Sequence, residues 1–451
     1  MRTVPVLLLG AALLAGALAL LLSTTQWGVG SRPWFEGATR TRWQYLLEDV
    51  HDRGVYQQRG RWLPAGVAPY LGEHSEYPEL ATWMLGLPYL AIPHHVPEGG
   101  YAQVRDEQGR RVVSAEESAD LAADQAAYFD AFHVMMALGL FALLAATVAN
   151  LRALGQAPAW ALLLFLPATL YFGFNRYDAV PSAMVSAALL LHLRGRERTA
   201  ALVLGLAAMM KWYPILLLPM FCAHATRARR ERGEPWGRAL ARGVVVPGLV
   251  AGGVCLAVLG VTFLWNGGGL EAASYVYKHH AARGANQSSI LFALTRPERW
   301  GVFELAREPA LSKASTLLQF LPAALLALLP VRSREALLSG CLLVVVGFVT
   351  FSKVFSPQWI LWISPLAILL APRRRLLLAL LVALELLIYL QIPVLHYGGP
   401  AEVDGQPLLM RPLAAFWTVC DLRIATLVAL WAWCLVTFLR AVRSNPAPSP
   451  A

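Results

Sequence analysis

Three short phrases in this 451-residue chain place charged side chains where chemistry, more than folding, would want them. Asn175-Arg176-Tyr177-Asp178-Ala179-Val180-Pro181 sets a cation and a carboxylate close together between apolar stretches at 157–173 and 180–193. Further on, Lys211-Trp212-Tyr213-Pro214 puts another cation inside an apolar run. Earlier, Leu47-Glu48-Asp49-Val50-His51-Asp52 gathers carboxylates and an imidazole in a polar region. Charge at or near membrane depth costs several kcal/mol unless it is paired or hydrated, so it marks a functional site.

The elements that must hold these residues follow from composition. Hydrophobic residues make up 57% and charged residues only 15%, which excludes an ordinary soluble domain. Several apolar runs approach the roughly 20 residues that a helix needs to cross the hydrocarbon of a bilayer. The chain therefore reads as all-α, a polytopic helical membrane protein. Spans are expected at 4–22, 127–149, 157–174, 180–193, 243–265, 314–330, 335–351, 357–371, 376–393 and 415–439. The run at 4–22 exceeds the apolar core of a signal peptide and more spans follow, so it is read as an uncleaved first helix. The five cysteines all lie in apolar segments without metal-ligand spacing and are read as packing residues.

Charge placement sets the expected topology. The connections 193–199, 223–242, 331–335 and 372–375 are rich in arginine and so belong in the cytoplasm. The net charge of +10 is then an orientation signal, a basic rim facing anionic lipid, and implies no nucleic acid partner. Residues 199–222 are long enough to span but carry arginines on both flanks. A re-entrant pair of half-helices broken at Lys211-Trp212-Tyr213-Pro214 reconciles the two. Residues 80–92 are too short to cross and are expected as a buried or interfacial helix. The expected organisation is a first helix at 1–22 and an extracytoplasmic region at 23–126 that packs on the bundle, with a charge-rich, mobile part at 97–124. Membrane helices follow over 127–264, then an extracytoplasmic loop at 265–313, membrane helices over 314–443 and a disordered tail at 444–451.

On this topology Asp49, Glu76, Arg176, Asp178, Asn286, Gln287, Lys353 and Gln358 converge on the extracytoplasmic face from four separate parts of the chain. No soluble nucleotide is supplied outside the cytoplasm, so an activated substrate there must be lipid-carried. The run Phe174-Asn175-Arg176-Tyr177-Asp178-Ala179-Val180-Pro181, then Gly195-Arg196, then Leu204-Gly205-Leu206-Ala207-Ala208-Met209-Met210-Lys211-Trp212-Tyr213-Pro214, resembles glycosyltransferase family 87. Glu48-Asp49-Val50, Pro69-Tyr70, Glu76-Tyr77-Pro78, Ala285-Asn286-Gln287-Ser288-Ser289 and Lys353-Val354-Phe355-Ser356-Pro357-Gln358-Trp359 extend the resemblance over about residues 40 to 370. Residues 94–125 have no counterpart in it. The resemblance implies a GT-C fold and an inverting transfer of mannose or a related sugar. The donor it implies is a polyprenyl-phosphate sugar, and the acceptor is an envelope glycolipid or glycan at the outer face of the cytoplasmic (inner) membrane.

Under that resemblance Asp49 corresponds to the first-loop carboxylate that serves as general base, with Glu76 as its understudy. Their bland readings are a helix cap and a loop anchor. Arg176 and Lys353 are the expected partners of the donor phosphate, one a bidentate fork and the other a point charge. Against this stand a local Arg176–Asp178 pair and a snorkelling interfacial cation. Lys211 either neutralises phosphate or pairs with Glu385 across the bundle, and the structural role is preferred. Asp178, Asn286, Gln287 and Gln358 are expected to hold sugar or acceptor hydroxyls, although loop amides also cap turns. Trp359 and Trp362 read as interface-belt aromatics or prenyl contacts. No cofactor is called for. A divalent cation on the acidic cluster with His51 is the minority alternative, because the Asp-x-Asp signature of metal users is missing. The rival function is a lipid or sugar transporter or flippase, which also uses broken helices and midplane charge. It is disfavoured by the lack of an internal repeat and by the scarcity of polar residues at the midplane, mainly Lys211 and Glu385.

Overall fold

The computed structural model describes residues 3–26, 47, 49–68, 70, 75–93, 114–265, 267, 270–297, 299–396, 402–403, 406–407 and 414–444. Glu48, Pro69, the His51 side chain, residues 94–113 and the tail beyond 444 lie outside the described residues. Apart from a two-residue ladder pairing Glu402–Val403 with Gln406–Pro407, the described regular structure is helical. Seven of its helices are long and apolar enough to cross a membrane, or eight if one bent pair counts as a single span. The all-α polytopic reading holds.

Proline chemistry breaks two stretches, one expected as a single crossing and one expected as a broken, re-entrant pair. The 157–174 stretch is a 3-10 turn run, Pro158–Phe165, followed by an α-helix, Pro167–Asn175, bent from it by 68°. Pro167 lacks a backbone N–H, and it holds Leu166 extended at ψ 150, so the helix cannot run through. The 199–222 stretch is likewise interrupted. A helix at Glu197–Ala208 ends before Lys211, a 3-10 turn covers Tyr213–Leu217, and a second helix runs over Leu218–Glu231. Arg229 at the far end of the second arm pairs with Glu197 at the start of the first, and His224 lies 3.0 Å from His192 just before it. The chain thus goes in and comes back to the same end.

Helix Ala115–Ala153 differs from the expected span at 127–149 by beginning a dozen residues earlier. At 1.5 Å per residue its 39 residues reach about 58 Å, well beyond the hydrocarbon. The early start has a local cause: Ser114 caps it by accepting from the Glu117 amide at 3.1 Å, and Glu116 and Glu117 complement the helix dipole. The expectation of a mobile, charge-rich segment is therefore wrong for residues 114–124, because Glu117 is fully buried against Arg61.

The interior is dominated by helix Arg334–Phe351, 78% buried across its apolar window, and by the wholly buried helix Ile360–Leu370. Trp236–Trp265 and Leu305–Ala327 are only 17% buried and form the periphery that faces lipid. The first polar region packs on one end of this bundle. Its helices Val50–Gly60 and Glu79–Gly86 contribute Tyr56, Ala81, Met84 and Leu85 to a second apolar cluster shared with Tyr128, Phe132, Tyr177 and Met210. Among the hydrogen bonds that fix it there, Tyr128 donates to the Leu85 carbonyl at 2.9 Å and the Leu80 amide to the Met209 carbonyl at 3.0 Å. That contact delivers the polar region onto the Lys211 break.

Candidate active site

Helix Pro167–Asn175 ends at Asn175, and the extended Arg176 begins the turn into the next helix, Ala179–Leu193. Asn175 is the hinge pin of the site. Its amide nitrogen donates to the Tyr171 and Leu47 carbonyls, both at 2.9 Å, and its oxygen accepts from the Asp49 amide at 2.8 Å. A buried side chain thus spends two bonds fixing the backbone around Asp49 and a third on its own helix. Asp49 caps helix Val50–Gly60, its Oδ1 accepting from the Asp52 amide at 3.3 Å. Its side chain is buried and its other oxygen pairs with the Arg176 guanidinium, which also reaches Asp52. The local Arg176–Asp178 pair is not formed; the intervening turn sends the two side chains apart.

Asp178 instead receives the indole N–H of Trp362 at 2.9 Å and faces Lys211 Nζ at 3.4 Å. Lys211 also donates to the Tyr177 hydroxyl at 2.9 Å and lies 4.2 Å from the centre of the Tyr177 ring. The Lys211–Glu385 pair is absent. Glu385 is satisfied elsewhere by the Thr169 amide at 2.8 Å and by the Thr169 and Ser364 hydroxyls at 2.5 and 2.8 Å. Trp362 stacks on Tyr213 with ring centres 4.1 Å apart and is buried, so it is neither a belt residue nor exposed to lipid. An unpaired buried ion would cost several kcal/mol, and here each charge in the break is matched.

Glu76 pairs with Arg59 at 3.2 Å, and Lys211 lies 5.7 Å from the centre of the neighbouring Tyr77 ring. Burial is the largest influence on the Glu76 carboxyl and raises it, but the Arg59 charge and the carboxyl's hydrogen bonds, with a contribution from His279, together hold the group below its usual range. Burial pushes the Tyr77 hydroxyl well up, with the Glu76 charge adding to it. Tyr56, Tyr77 and Tyr177 form a triangle of edge-on rings, 5.4 to 5.5 Å between centres, under these charges. Asp49, Glu76, Arg176, Asp178 and Lys211 are therefore brought to one place.

The remaining predicted residues form a separate junction. Asn286 donates to the Phe355 carbonyl at 2.7 Å and accepts from the Phe355 amide at 3.0 Å, while its own amide bonds the Lys353 carbonyl at 3.0 Å. Lys353 donates to the Ala281 carbonyl at 3.0 Å, and Gln287 is exposed. Gln358 is buried, and its Oε1 has no hydrogen-bond partner among the described residues. Sequence reading gave Asp52, Arg59 and Asn175 no role of their own in the site, and it read Trp362 as a belt aromatic or prenyl contact rather than as a partner of Asp178. For Asp52 and Asn175 the signal was present, since each adjoins a residue already singled out. Nothing in the sequence pairs Arg59 with Glu76 or Trp362 with Asp178. Among the described residues no three His, Cys, Asp or Glu side chains gather in a metal-holding arrangement.

A multi-pass helical membrane protein with a buried acid–base cluster at one end of its bundle is the class these features define. Residues 123–357, just over half of the chain, match the model of glycosyltransferase family 87, and the chain belongs to that family. It is a membrane glycosyltransferase. No curated protein matches it.

Proposed function

We propose that this glycosyltransferase moves a sugar, mannose by default, from a polyprenyl-phosphate donor to an envelope glycolipid or glycan, with inversion. The reaction is placed at the extracytoplasmic face of the cytoplasmic membrane, on the side opposite the arginine-rich connections. The observation that carries this reading is the Arg176 fork lying on Asp49 and Asp52, a phosphate-type cation resting on a base-type carboxylate.

Arg176 masks Asp49 in this geometry. A donor phosphate competes for the same fork, assisted by Lys211, and so uncovers the carboxylate as it binds. The acceptor oxygen then bonds to the anomeric carbon while the bond from that carbon to the phosphate oxygen breaks. The acceptor proton passes to Asp49, and the bonding electrons leave with the phosphate. One carboxylate suffices because a phosphate leaving group needs little protonation. Glu76 is the alternative base, but Arg59 holds it in an ion pair. Asp178 and Gln358 are assigned to sugar hydroxyls and Gln287 to the acceptor. Lys353 is a lesser phosphate partner that must first release the Ala281 carbonyl, and Asn286 positions its loop.

The test is an assay of the purified protein in lipid with a panel of polyprenyl-phosphate sugars. Transfer from one of them is expected. No transfer from any, together with movement of the lipid across sealed vesicles, contradicts the proposal and favours a flippase. Sidedness is checked by thiol labelling in whole cells: Gln287→Cys should react with an impermeant reagent from outside and Arg238→Cys should not.

A further inference from the structure

At the base of the hairpin whose tip carries Lys211 lies a cavity of about 350 Å³. Three segments meet there. Arg196 and Arg198 precede and open the first arm, Arg229 ends the second, and Arg242 comes from the long helix Trp236–Trp265. Two carboxylates serve these four guanidinium groups. Glu197 pairs with Arg229, and Glu234 lies 3.2 Å from Arg229 and 3.7 Å from Arg242. Arg196 and Arg198 are exposed and carry no ion pair among the described residues, so the cavity keeps a surplus of positive charge.

Next to this lining, the two helices that carry Arg198 and Arg242 continue with exposed apolar side chains. Leu202 stands one helical turn from Arg198, and Val245 and Leu249 follow Arg242 on the next helix; they are 40%, 53% and 70% exposed. Helix Trp236–Trp265 is among the least buried in the molecule, so these side chains face lipid. The mouth of the cavity therefore sits where the lipid-facing surface gives way to the polar end, at headgroup depth. Planar guanidinium forks suit phosphate oxygens, and the adjoining apolar side chains suit acyl chains but serve no purpose for a free ion.

We propose that this cavity binds the phosphate headgroup of an anionic phospholipid, whose chains lie along Leu202, Val245 and Leu249. The bound headgroup ties both arms of the hairpin to the following helix. It is a site distinct from the charged cluster at the hairpin tip, and it does not depend on which sugar is transferred.

The test uses the full-length protein, with phosphatidylglycerol, phosphatidylcholine and inorganic phosphate as probes and retained lipid read by native mass spectrometry. The Arg198→Gln/Arg242→Gln variant leaves the Glu197–Arg229–Glu234 pairs intact. Its control, Arg152→Gln/Arg375→Gln, removes the same charge from exposed positions at the same end but outside the cavity. Wild type and control should retain phosphatidylglycerol over phosphatidylcholine, and the cavity variant should bind it about 30-fold more weakly. If the double variant does not fold, Arg198→Gln alone should cost about fivefold. Equal loss in cavity variant and control means diffuse attraction by the rim and overturns the proposal. Displacement of the lipid by inorganic phosphate at equal concentration overturns the lipid assignment.

Discussion

Where helix Val50–Gly60 meets the Arg176–Asp178 turn, charged side chains face charged side chains; where the 285–289 loop meets the 353–358 phrase, polar side chains face backbone. Arg176 lies on Asp49 and Asp52, and Lys211 faces Asp178, while Asn286 clamps Phe355 and Lys353 caps Ala281. Both junctions stand out in the sequence for the same reason, polar residues beside apolar runs. They differ in what a ligand would have to displace. An ion pair can be traded for a phosphate at little net change in charge matching, whereas breaking an amide-to-backbone clamp leaves buried peptide groups unsatisfied. On the proposed mechanism, exchangeable charge suits the first junction to the chemistry, and the Asn286 clamp suits the second to holding its loop in place.

Substitutions can break that contrast. The largest effect is expected from Asp49→Asn, which keeps the shape and removes the basicity. The chemical step should fall by about 10²–10⁴-fold while donor binding persists, read by single-turnover kinetics. Glu76→Gln is the comparison, and a greater loss there would move the base to Glu76. Next comes Arg176→Lys, which keeps the charge but loses the fork. Transfer should drop about 10- to 100-fold, with weaker donor binding, and Arg176→Ala should be worse. Unchanged donor affinity in a folded Arg176→Ala protein would make the cation a purely structural partner of the aspartates.

A third prediction concerns Glu79, which is buried with neither carboxylate oxygen hydrogen-bonded among the described residues. Burial pushes its carboxyl up from 4.5 to about 7. The unfolded chain releases this proton at lower pH than the folded one, so stability is fully present below about pH 4.5 and is lost as pH rises to about 7. Glu79→Gln should remove that dependence and raise stability at pH 8 by at most about 3 kcal/mol. Thermal unfolding across pH 5 to 8 checks it, and parallel curves for variant and wild type would contradict it. The smallest effect on chemistry belongs to Asn286→Ala. It should cost about 1–3 kcal/mol of stability by stranding the Phe355 peptide groups, and it should change the chemical step less than Asp49→Asn does. The reverse ranking would erase the distinction between the two junctions.

Much of the fold was legible because apolar runs and arginine-rich connections obey a one-dimensional rule. The break at Lys211-Trp212-Tyr213-Pro214 was legible for the same reason, with arginines on both flanks and a proline between. One expected crossing, 157–174, is not a simple one, since Pro167 bends it by 68°. The start of helix Ala115–Ala153 was also missed, although its Ser114 cap is local, because the burial of Glu117 on Arg61 that holds the first turn is a tertiary event. In the candidate site the residues could be named but their partners could not. Arg176 and Asp178 adjoin in sequence and still diverge, one to Asp49 and the other to Trp362. Partner choice among buried charges depends on which distant helix arrives, and no spacing rule carries that information.

If Asp49 takes the acceptor proton in one displacement, the anomeric centre must invert. A β-linked polyprenyl-phosphate sugar should then give a product that nuclear magnetic resonance shows to be α-linked. A β-linked product would mean net retention, which a single in-line displacement cannot give, and would contradict the role assigned to Asp49.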